Sequence, residues 1–194
     1  MFRGFEQIPW LYDASMALLD ARGLRRWRRW LAGGARGRTL EIGCGTGRNL
    51  PLYPAAARLA GMDPHPQNLL ASRRRAPGVP LVQARAEALP FRDGSFETAV
   101  VSLVLCSVDD PAAALAEARR VLAPGGALRA IEHVRSRRPW AARVQDAIQP
   151  AWTWVNGGCH PNRDTERAVE AAGFTIQAEG RRERGTMRRF SASP

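Results

Sequence analysis

Three glycines spaced two residues apart follow a short apolar run and predict a ligand-binding turn. The segment reads Thr39-Leu40-Glu41-Ile42-Gly43-Cys44-Gly45-Thr46-Gly47. Glycine lacks a Cβ atom, so such a turn lets a ligand approach the backbone and directs free amides at it. A dinucleotide-binding turn would place its third glycine one residue later, where this chain has Arg48. The carboxylate of Glu41 favours a ligand with positive charge over a pyrophosphate; the alternative is a tight turn that uses its glycines for packing alone.

A second acid, Asp63, follows the next apolar run at a spacing of 22 residues from Glu41. In an open α/β sheet, an acid at this place is presented to ribose hydroxyl groups. Asp63 could instead only start the helix that follows it. The glycine turn and the acid together predict a site for a ligand that carries ribose and positive charge.

A parallel sheet covered by helices would bring these residues together, and the chain has the matching alternation. Short apolar runs predict strands over Thr39–Ile42, Arg58–Met62, Leu81–Ala84, Thr98–Ser102 and Ala127–Glu132. Helices are predicted over Pro64–Arg75, Asp110–Leu122 and Arg163–Ala172. Two further strands are expected to pair antiparallel because the turn between them is short. They are Phe174–Ala178 and Thr186–Ala192, with the turn over Gly180–Gly185.

The composition bounds the class of protein. The 194 residues allow one domain with a sizeable core, and 45% hydrophobic residues exclude collagen and disordered chains. The net charge is +11, but all 29 basic residues are Arg because the sequence contains no Lys. A functional basic patch would not exclude Lys, so we attribute the excess to coding bias and expect no specific nucleic-acid partner. The alternative is a protein that binds or modifies RNA through its Arg clusters.

The cysteines and the N-terminus indicate the compartment. Cys44, Cys106 and Cys159 lie far apart, and none belongs to a C-x-x-C pair. This argues against a disulfide framework or a metal site and implies a reducing compartment. Met1–Leu19 contains two acids and no unbroken apolar core, so we expect neither a signal peptide nor a membrane span and predict a cytoplasmic protein.

Four segments, in order, resemble the class I S-adenosylmethionine-dependent methyltransferases. They are Leu40–Gly47, Gly61–Asp63, the stretch from Ala86 to Phe96, and Arg120–Gly126. The resemblance implies an α/β, Rossmann-like fold with a seven-stranded, mostly parallel sheet, helices on both faces and an antiparallel C-terminal strand. It implies a single domain over 1–194, divided into a helical cap (1–37), a cofactor-binding core (38–134), and a substrate-side insertion with the last helix and the C-terminal strands (135–194).

The same resemblance implies S-adenosyl-L-methionine as the cofactor, bound at the carboxyl ends of the first strands. Glu41 and the glycine turn would surround its methionine part, Asp63 would hold the ribose, and two later pairs would flank the adenine and close over the sulfonium. The implied cofactor-binding residues are Glu41, Gly43, Cys44, Gly45, Gly47, Asp63, Ala86, Glu87, Ser102 and Leu103.

Further segments are similar to the methyltransferase-like group that contains thiol S-methyltransferases. They are Leu103–Val108, Ile131–Val134 and Gly158–Thr165, together with Asn49–Pro54. The group implies a small thiol or another soft, apolar methyl acceptor. Its animal members carry an N-terminal membrane anchor that we do not expect here, and their segment between the last two strands is longer. The alternative within enzymes is a lipid amine or quinone methyltransferase at the membrane surface.

The candidate acceptor site follows the later strands. His133, at the carboxyl end of a predicted central strand, is either the catalytic group or a satisfied structural histidine. Trp152 lies in a Trp-containing insertion where an apolar pocket would be lined. Cys159 could instead be a buried small residue, and His160 part of a capping loop. The predicted pocket comprises Tyr12, Trp152, Cys159, His160 and Asn162.

Two N-terminal segments have two interpretations each. Trp10, Tyr12 and Asp13 resemble the flap by which many family members cover the cofactor, or belong to a helix at the sheet edge. In Leu24–Leu31, three apolar residues share a helical face among arginines, which suits packing on the domain or contact with an anionic membrane. We therefore expect a small-molecule acceptor as partner, with peripheral membrane contact as an alternative; the sequence leaves the oligomeric state open.

Overall fold

Eight strands form one sheet in the part of the chain that the structure describes, residues 8–194 of a computed structural model. In chain order they are β1 (Arg38–Ile42), β2 (Arg58–Asp63), β3 (Leu81–Gln83), β4 (Phe96–Ser102), β5 (Leu122–His133), β6 (Thr175–Ile176), β7 (Arg182–Arg184) and β8 (Met187–Ser193). Their order across the sheet is β3-β2-β1-β4-β5-β8-β6, with β7 paired to β8. The first five are parallel, whereas β8 runs antiparallel to β5. The predicted Rossmann-like α/β fold is confirmed.

The sheet has one more strand than the seven predicted. β7 opposes β8 with Arg182 across from Arg189 and Arg184 across from Met187. Part of the segment that the sequence predicts as a turn, Gly180–Gly185, is therefore the first arm of a hairpin, which turns at Gly185 with φ of +58°. All three β7 residues are exposed, so the strand carries no apolar alternation from which it could be predicted.

β5 also begins earlier than predicted, at Leu122. Phe96 of β4 pairs with Leu122 and Thr98 pairs with Ala127, so the register shifts between the two pairs. The Pro124–Gly126 segment therefore forms an irregularity within the strand, where the sequence predicts a turn between helix and strand.

Six α-helices flank the sheet in the described residues. They are α1 (Pro9–Leu19), α2 (Arg25–Gly33), α3 (Pro66–Arg75), α4 (Pro111–Val121), α5 (Pro139–Val155) and α6 (Thr165–Ala171). A π-helical turn over Asp20–Leu24 joins α1 to α2. The predicted ends of α3, α4 and α6 agree within two residues, whereas α5 occupies the insertion for which no helix is predicted. Within residues 8–194, no helix has both the length and the apolar composition needed to cross a membrane.

Buried side chains of the central strands alternate between two cores, as the pleat of a strand requires. Val101 and Ala130 belong to the larger core with residues of α4 and α6. Their neighbours Val100 and Ile131 pack with Leu31 of α2 on the opposite face. This arrangement puts helices on both faces and leaves the carboxyl ends of β1 and β4, where the strand order reverses, as the place for a ligand.

Candidate active site

Two cavities lie next to each other at the carboxyl ends of the strands. The strand-end cavity, about 220 Å³, is lined by residues at the carboxyl ends of β1 to β4, including Gly45, Asp63 and Glu87. The apolar cavity, about 430 Å³, lies among α1, the π-helical turn, α2 and the C-terminal end of α5. Tyr12 and Leu103 line both cavities. The two cavities therefore adjoin at these two side chains.

The three glycines of the turn after β1 have different roles. All have positive φ, between +56° and +79°. A Cβ atom on Gly43 would lie 2.5 Å from Val104 Cγ2, and one on Gly47 would lie 2.7 Å from Ser72 Oγ, so both positions are closely packed. A Cβ atom on Gly45 would meet nothing within 4 Å. Gly45 therefore leaves open space beside the cavity that it lines, as a ligand-binding turn requires. Gly43 and Gly47 fit the other interpretation, a turn that uses its glycines for packing.

Asp63, the last residue of β2, is 5% exposed and lines the strand-end cavity. Its Oδ2 accepts a hydrogen bond from Gly45 N at 2.9 Å, and its Oδ1 accepts from His65 N at 2.9 Å and Asn68 Nδ2 at 3.1 Å. The acid thus ties the glycine turn to the start of α3. These three hydrogen bonds fix the orientation of the carboxylate.

Glu41 lies behind the glycine turn, buried in a polar network. Its Oε1 accepts from Asn49 Nδ2 at 2.7 Å, and the buried hydroxyl of Tyr53 is a second polar neighbour of the carboxyl. Burial raises the pKa of Glu41 to about 7, against the lowering effect of Asn49 and of the Arg28 charge. Arg28, itself 4% exposed, donates to Asn49 Oδ1 at 2.8 Å and pairs with Asp20 at 3.0 Å.

The surroundings of Arg28 show how the Leu24–Leu31 segment packs. The segment packs on its own sheet through Arg28 and Leu31, while Trp27 lines the apolar cavity. The sequence analysis assigns no site role to Arg28. A signal for it was present, since Arg28 precedes Leu31 by three residues and so lies close to the apolar face of the helix.

Helix α1 is fastened to the glycine turn through Asp13. Its carboxylate accepts from Thr46 Oγ1 at 2.7 Å and pairs with Arg75 at 2.7 Å and Arg48 at 3.3 Å. Burial favours a higher pKa for Asp13, but these hydrogen bonds outweigh it and lower the pKa. The anchor holds Tyr12 where the two cavities meet, whereas Trp10 is exposed.

The loop after β4 is held by a buried carboxylate. Glu132 of β5 accepts from the backbone N–H groups of Val104, Leu105 and Cys106 at 2.9, 3.1 and 3.3 Å. Burial raises the pKa of Glu132 to about 7, against these hydrogen bonds. Leu103, where the loop begins, has φ of +61°, a strained value for a residue with a Cβ atom. Sequence analysis missed Glu132, although an acid within an apolar strand is a signal of a buried, hydrogen-bonded role.

His133 and Cys159 meet in the wall of the apolar cavity. His133 Nε2 lies 2.8 Å from Thr186 Oγ1, and its Nδ1 lies 3.9 Å from Cys159 Sγ. The Trp152 ring lies 5.9 Å from the His133 ring, measured between centroids. The Cys106 thiol and His133 both lower the pKa of Cys159. Burial acts in the opposite direction but is outweighed.

Most of the residues predicted for the site line one of these two cavities, but five do not. Glu41, Cys44 and Gly47 lie behind the strand-end cavity. His160 and Asn162 lie beside α5 instead: His160 Nδ1 is 3.0 Å from Gln149 Nε2, and Asn162 donates to Asp146 at 2.9 Å. Asp164 caps α6 and accepts from Arg167 N at 3.3 Å.

Comparison with known proteins decides the family. Residues 40–130 match the family described as a methyltransferase domain. Human thiol S-methyltransferase TMT1B is 39% identical to this chain over 149 residues, which cover 72% of the chain and 61% of the relative. Human thiol S-methyltransferase TMT1A is 37% identical over 144 residues, or 70% and 59%. The chain belongs to the class I S-adenosylmethionine-dependent methyltransferases.

The chain spans about three fifths of the length of these curated relatives. Among solved structures, an S-adenosylmethionine-dependent methyltransferase from Thermotoga maritima covers 95% of both chains with a TM-score of 0.69 and 24% identity. This likeness confirms the fold. The family and the fold together imply S-adenosyl-L-methionine as the cofactor.

The strand-end cavity of this methyltransferase has groups that suit S-adenosyl-L-methionine. Open space at Gly45 admits a ligand against the turn, and the fixed carboxylate of Asp63 lines the same cavity.

Proposed function

We propose that this methyltransferase transfers the methyl group of S-adenosyl-L-methionine to the sulfur of a small, apolar thiol. The observation that carries the proposal is the junction of the two cavities at Tyr12 and Leu103. Methyl transfer is an in-line displacement, which requires donor and acceptor to meet with water excluded. The names of the human relatives, both thiol S-methyltransferases, support a thiol as the acceptor.

The strand-end cavity is the proposed cofactor site. When bound, S-adenosyl-L-methionine supplies an electrophilic methyl group. We assign its ribose to Asp63 and its methionine part to the glycine turn with Glu41 behind it. Ala86 and Glu87, which line the cavity on the far side, would flank the adenine. Glu87 is positioned for this by hydrogen bonds to Oε1 from Asp109 N at 3.1 Å and Asp110 N at 3.4 Å. Ser102 and Leu103 would border the reacting end.

The apolar cavity is the proposed acceptor site. Leu19, Leu24 and Met187 contribute apolar walls that would exclude water. Among the described residues that line this cavity there is no Asp or Glu, whereas Arg22 and Arg184 provide positive charge. Positive potential favours the thiolate, which is the nucleophilic form of a thiol. A cavity of this character suits a soft acceptor better than a cationic amine.

We assign to His133 the removal of the thiol proton. His133 lines the apolar cavity, its Nδ1 lies next to Cys159 Sγ, and its Nε2 is paired with the Thr186 hydroxyl, which fixes the ring. A neutral imidazole can accept a proton from a thiol as a general base. Trp152 packs beside the ring and would cover the acceptor.

The proposal is tested with three acceptors of the same shape: thiophenol, phenol and aniline. Methyl transfer from isotopically labelled S-adenosyl-L-methionine is followed by mass spectrometry of each product. We expect the thiophenol product, methyl phenyl sulfide, to form at least about ten times faster than the products of the other two, because the cavity selects a soft anion. Transfer to aniline or phenol without transfer to the thiol would contradict the thiol assignment. Methylation of none of the three by a protein that binds the cofactor would contradict it as well.

A further inference from the structure

In α5 large apolar side chains face solvent while a polar side chain is buried, the reverse of the usual arrangement in a helix that packs on a sheet. The two buried residues of α5 are Ala142 and the polar Gln145. Gln145, 6% exposed, donates to Val134 O at 3.1 Å and to Pro161 O at 2.7 Å, and accepts from Ser136 N at 2.7 Å. Thr153, two turns later, donates to Cys159 O at 2.9 Å. The helix is thus held in place by hydrogen bonds from this side.

The opposite side of α5 is apolar and faces solvent. Trp140, Val144, Ile148 and Trp152 recur every four residues and are 64%, 50%, 44% and 38% exposed, and Trp154 is 69% exposed. Residues at this spacing share one face of an α-helix. Ala147 and Ala151, also exposed, complete the face without a polar or charged side chain. We call this set, Trp140, Val144, Ala147, Ile148, Ala151, Trp152 and Trp154, the α5 apolar face.

Arginines border this face. Arg138 precedes α5 and Arg143 lies at the edge of the apolar face; both are exposed. Arg22 and Arg184 line the cavity whose wall includes Trp152. None of these four has an ion-pair partner within residues 8–194. Asp146, the one acid of α5, is already engaged by Arg135 and Asn162.

We propose that the α5 apolar face docks this protein on the surface of an anionic phospholipid bilayer. A helix with an unbroken apolar side, tryptophans and flanking arginines is suited to lie in the headgroup region of a membrane. α5 has 17 residues and is about 25 Å long, so it would lie in the plane of the interface. An exposed apolar face of this extent marks an interaction surface.

Charge favours the bilayer over a second copy of the chain. Each copy carries a net charge of +11, so pairing two copies would bring unpaired arginines together. An anionic lipid surface complements the same arginines. Trp152 belongs both to the α5 apolar face and to the wall of the apolar cavity, so docking would turn the mouth of that cavity toward the bilayer.

Vesicle co-sedimentation of the full chain tests the proposal without cofactor or acceptor, so the outcome does not depend on methyl transfer. The vesicles contain phosphatidylcholine alone or with phosphatidylglycerol at about one part in three. The variant W140Q/I148Q removes two side chains of the α5 apolar face and leaves Trp152 in place. Leu70→Gln, at an exposed leucine of α3, is the matched control.

We expect the native protein and Leu70→Gln to bind the phosphatidylglycerol vesicles alike and the double variant to bind at least about ten-fold more weakly, with circular dichroism showing it folded. Added salt weakens the binding because part of the attraction is electrostatic. Equal binding by the double variant, or no binding by the native protein, would overturn the proposal. A native dimer in analytical ultracentrifugation that W140Q/I148Q dissociates would assign the face to a second copy and overturn it too.

Discussion

The carboxylate of Asp63 accepts hydrogen bonds from Gly45, His65 and Asn68. If it holds the ribose, Asp63→Ala removes charge-assisted hydrogen bonds worth about 1.5 to 3 kcal/mol and weakens S-adenosyl-L-methionine about ten-fold or more. Isothermal titration calorimetry measures the affinity, and a thermal melt shows that the variant is folded. Unchanged affinity in a folded variant would remove Asp63 from the cofactor site.

Arg28 and Arg29 are adjacent arginines in opposite environments. Arg28 is 4% exposed and hydrogen-bonded to Asp20 and Asn49, whereas Arg29 is exposed. Arg28→Met leaves buried polar groups without their partner and should lower the free energy of unfolding by about 3 kcal/mol. Arg29→Met should change it by less than about 0.5 kcal/mol. Urea unfolding of both variants makes the comparison, and equal effects would show that Arg28 has no such structural role.

His133 and Trp152 separate acceptor binding from cofactor binding. Both line the apolar cavity and neither lines the strand-end cavity. Replacing either by Ala should lower methyl transfer by about ten-fold or more while the affinity for S-adenosyl-L-methionine stays within a few-fold. Turnover and a cofactor titration on each variant give the two quantities. Full turnover in both variants would move the acceptor site to the N-terminal segment around Trp10 and Tyr12.

At the scale of elements, the loop after β4 depends on the buried carboxyl of Glu132. Its pKa is raised to about 7 from a usual value near 4.5, as is that of Glu41. The folded protein therefore binds more protons than the unfolded chain between these values, so the free energy of unfolding falls as pH rises from about 4.5 to 7 and levels off above. For Glu132 alone, the fall between pH 5 and 8 is about 3 kcal/mol.

This pH dependence is measured by urea unfolding at several pH values. Glu132→Gln removes one titrating carboxyl. The fall in the free energy of unfolding with rising pH should therefore be smaller in this variant than in the native protein, by the amount that Glu132 contributes. Glu41→Gln should remove a further share, because its carboxyl titrates in the same range. A Glu132→Gln variant with the full native pH dependence would show that Glu132 titrates near its usual value.

The elements that apolar patterns mark were predictable, and those without such a pattern were not. Buried strands such as β1 and β4 and the capped helix α4 follow from the sequence, as do the glycine turn and Asp63. β7 is an exposed polar strand that forms only because β8 pairs with it. For α5, the apolar pattern indicates a helix but does not tell which side of that helix is buried, because here the apolar side faces solvent.

The site itself was predictable where a motif lies in one stretch of sequence. Gly45, Asp63 and Glu87 line one cavity as expected from their places after successive strands. Arg28 and Glu132 were missed because their partners lie far away in sequence: Asn49 for Arg28, and the loop from Val104 to Cys106 for Glu132. Such pairings depend on the tertiary fold, which local patterns do not encode.

At the scale of the whole molecule, the excess of arginine is distributed and partly neutralised within the fold. Arg38 pairs with Glu97 at 2.7 Å and Arg120 with Glu117 at 2.6 Å, for example. If coding bias explains the excess, binding to nucleic acid should be weak, independent of sequence and lost between low and physiological salt. A gel shift with salt titration checks this. Tight binding to one RNA at physiological salt would contradict it.

The central claim is that cofactor and acceptor occupy adjoining cavities that meet at Tyr12 and Leu103. A crystal structure with S-adenosylhomocysteine and an aryl thiol tests it most directly. We predict the ribose at Asp63, the thioether sulfur of the nucleoside facing Leu103, and the thiol sulfur between that sulfur and His133, with its ring against Trp152. A nucleoside bound away from Asp63, or a thiol that lies outside the apolar cavity, would contradict the account.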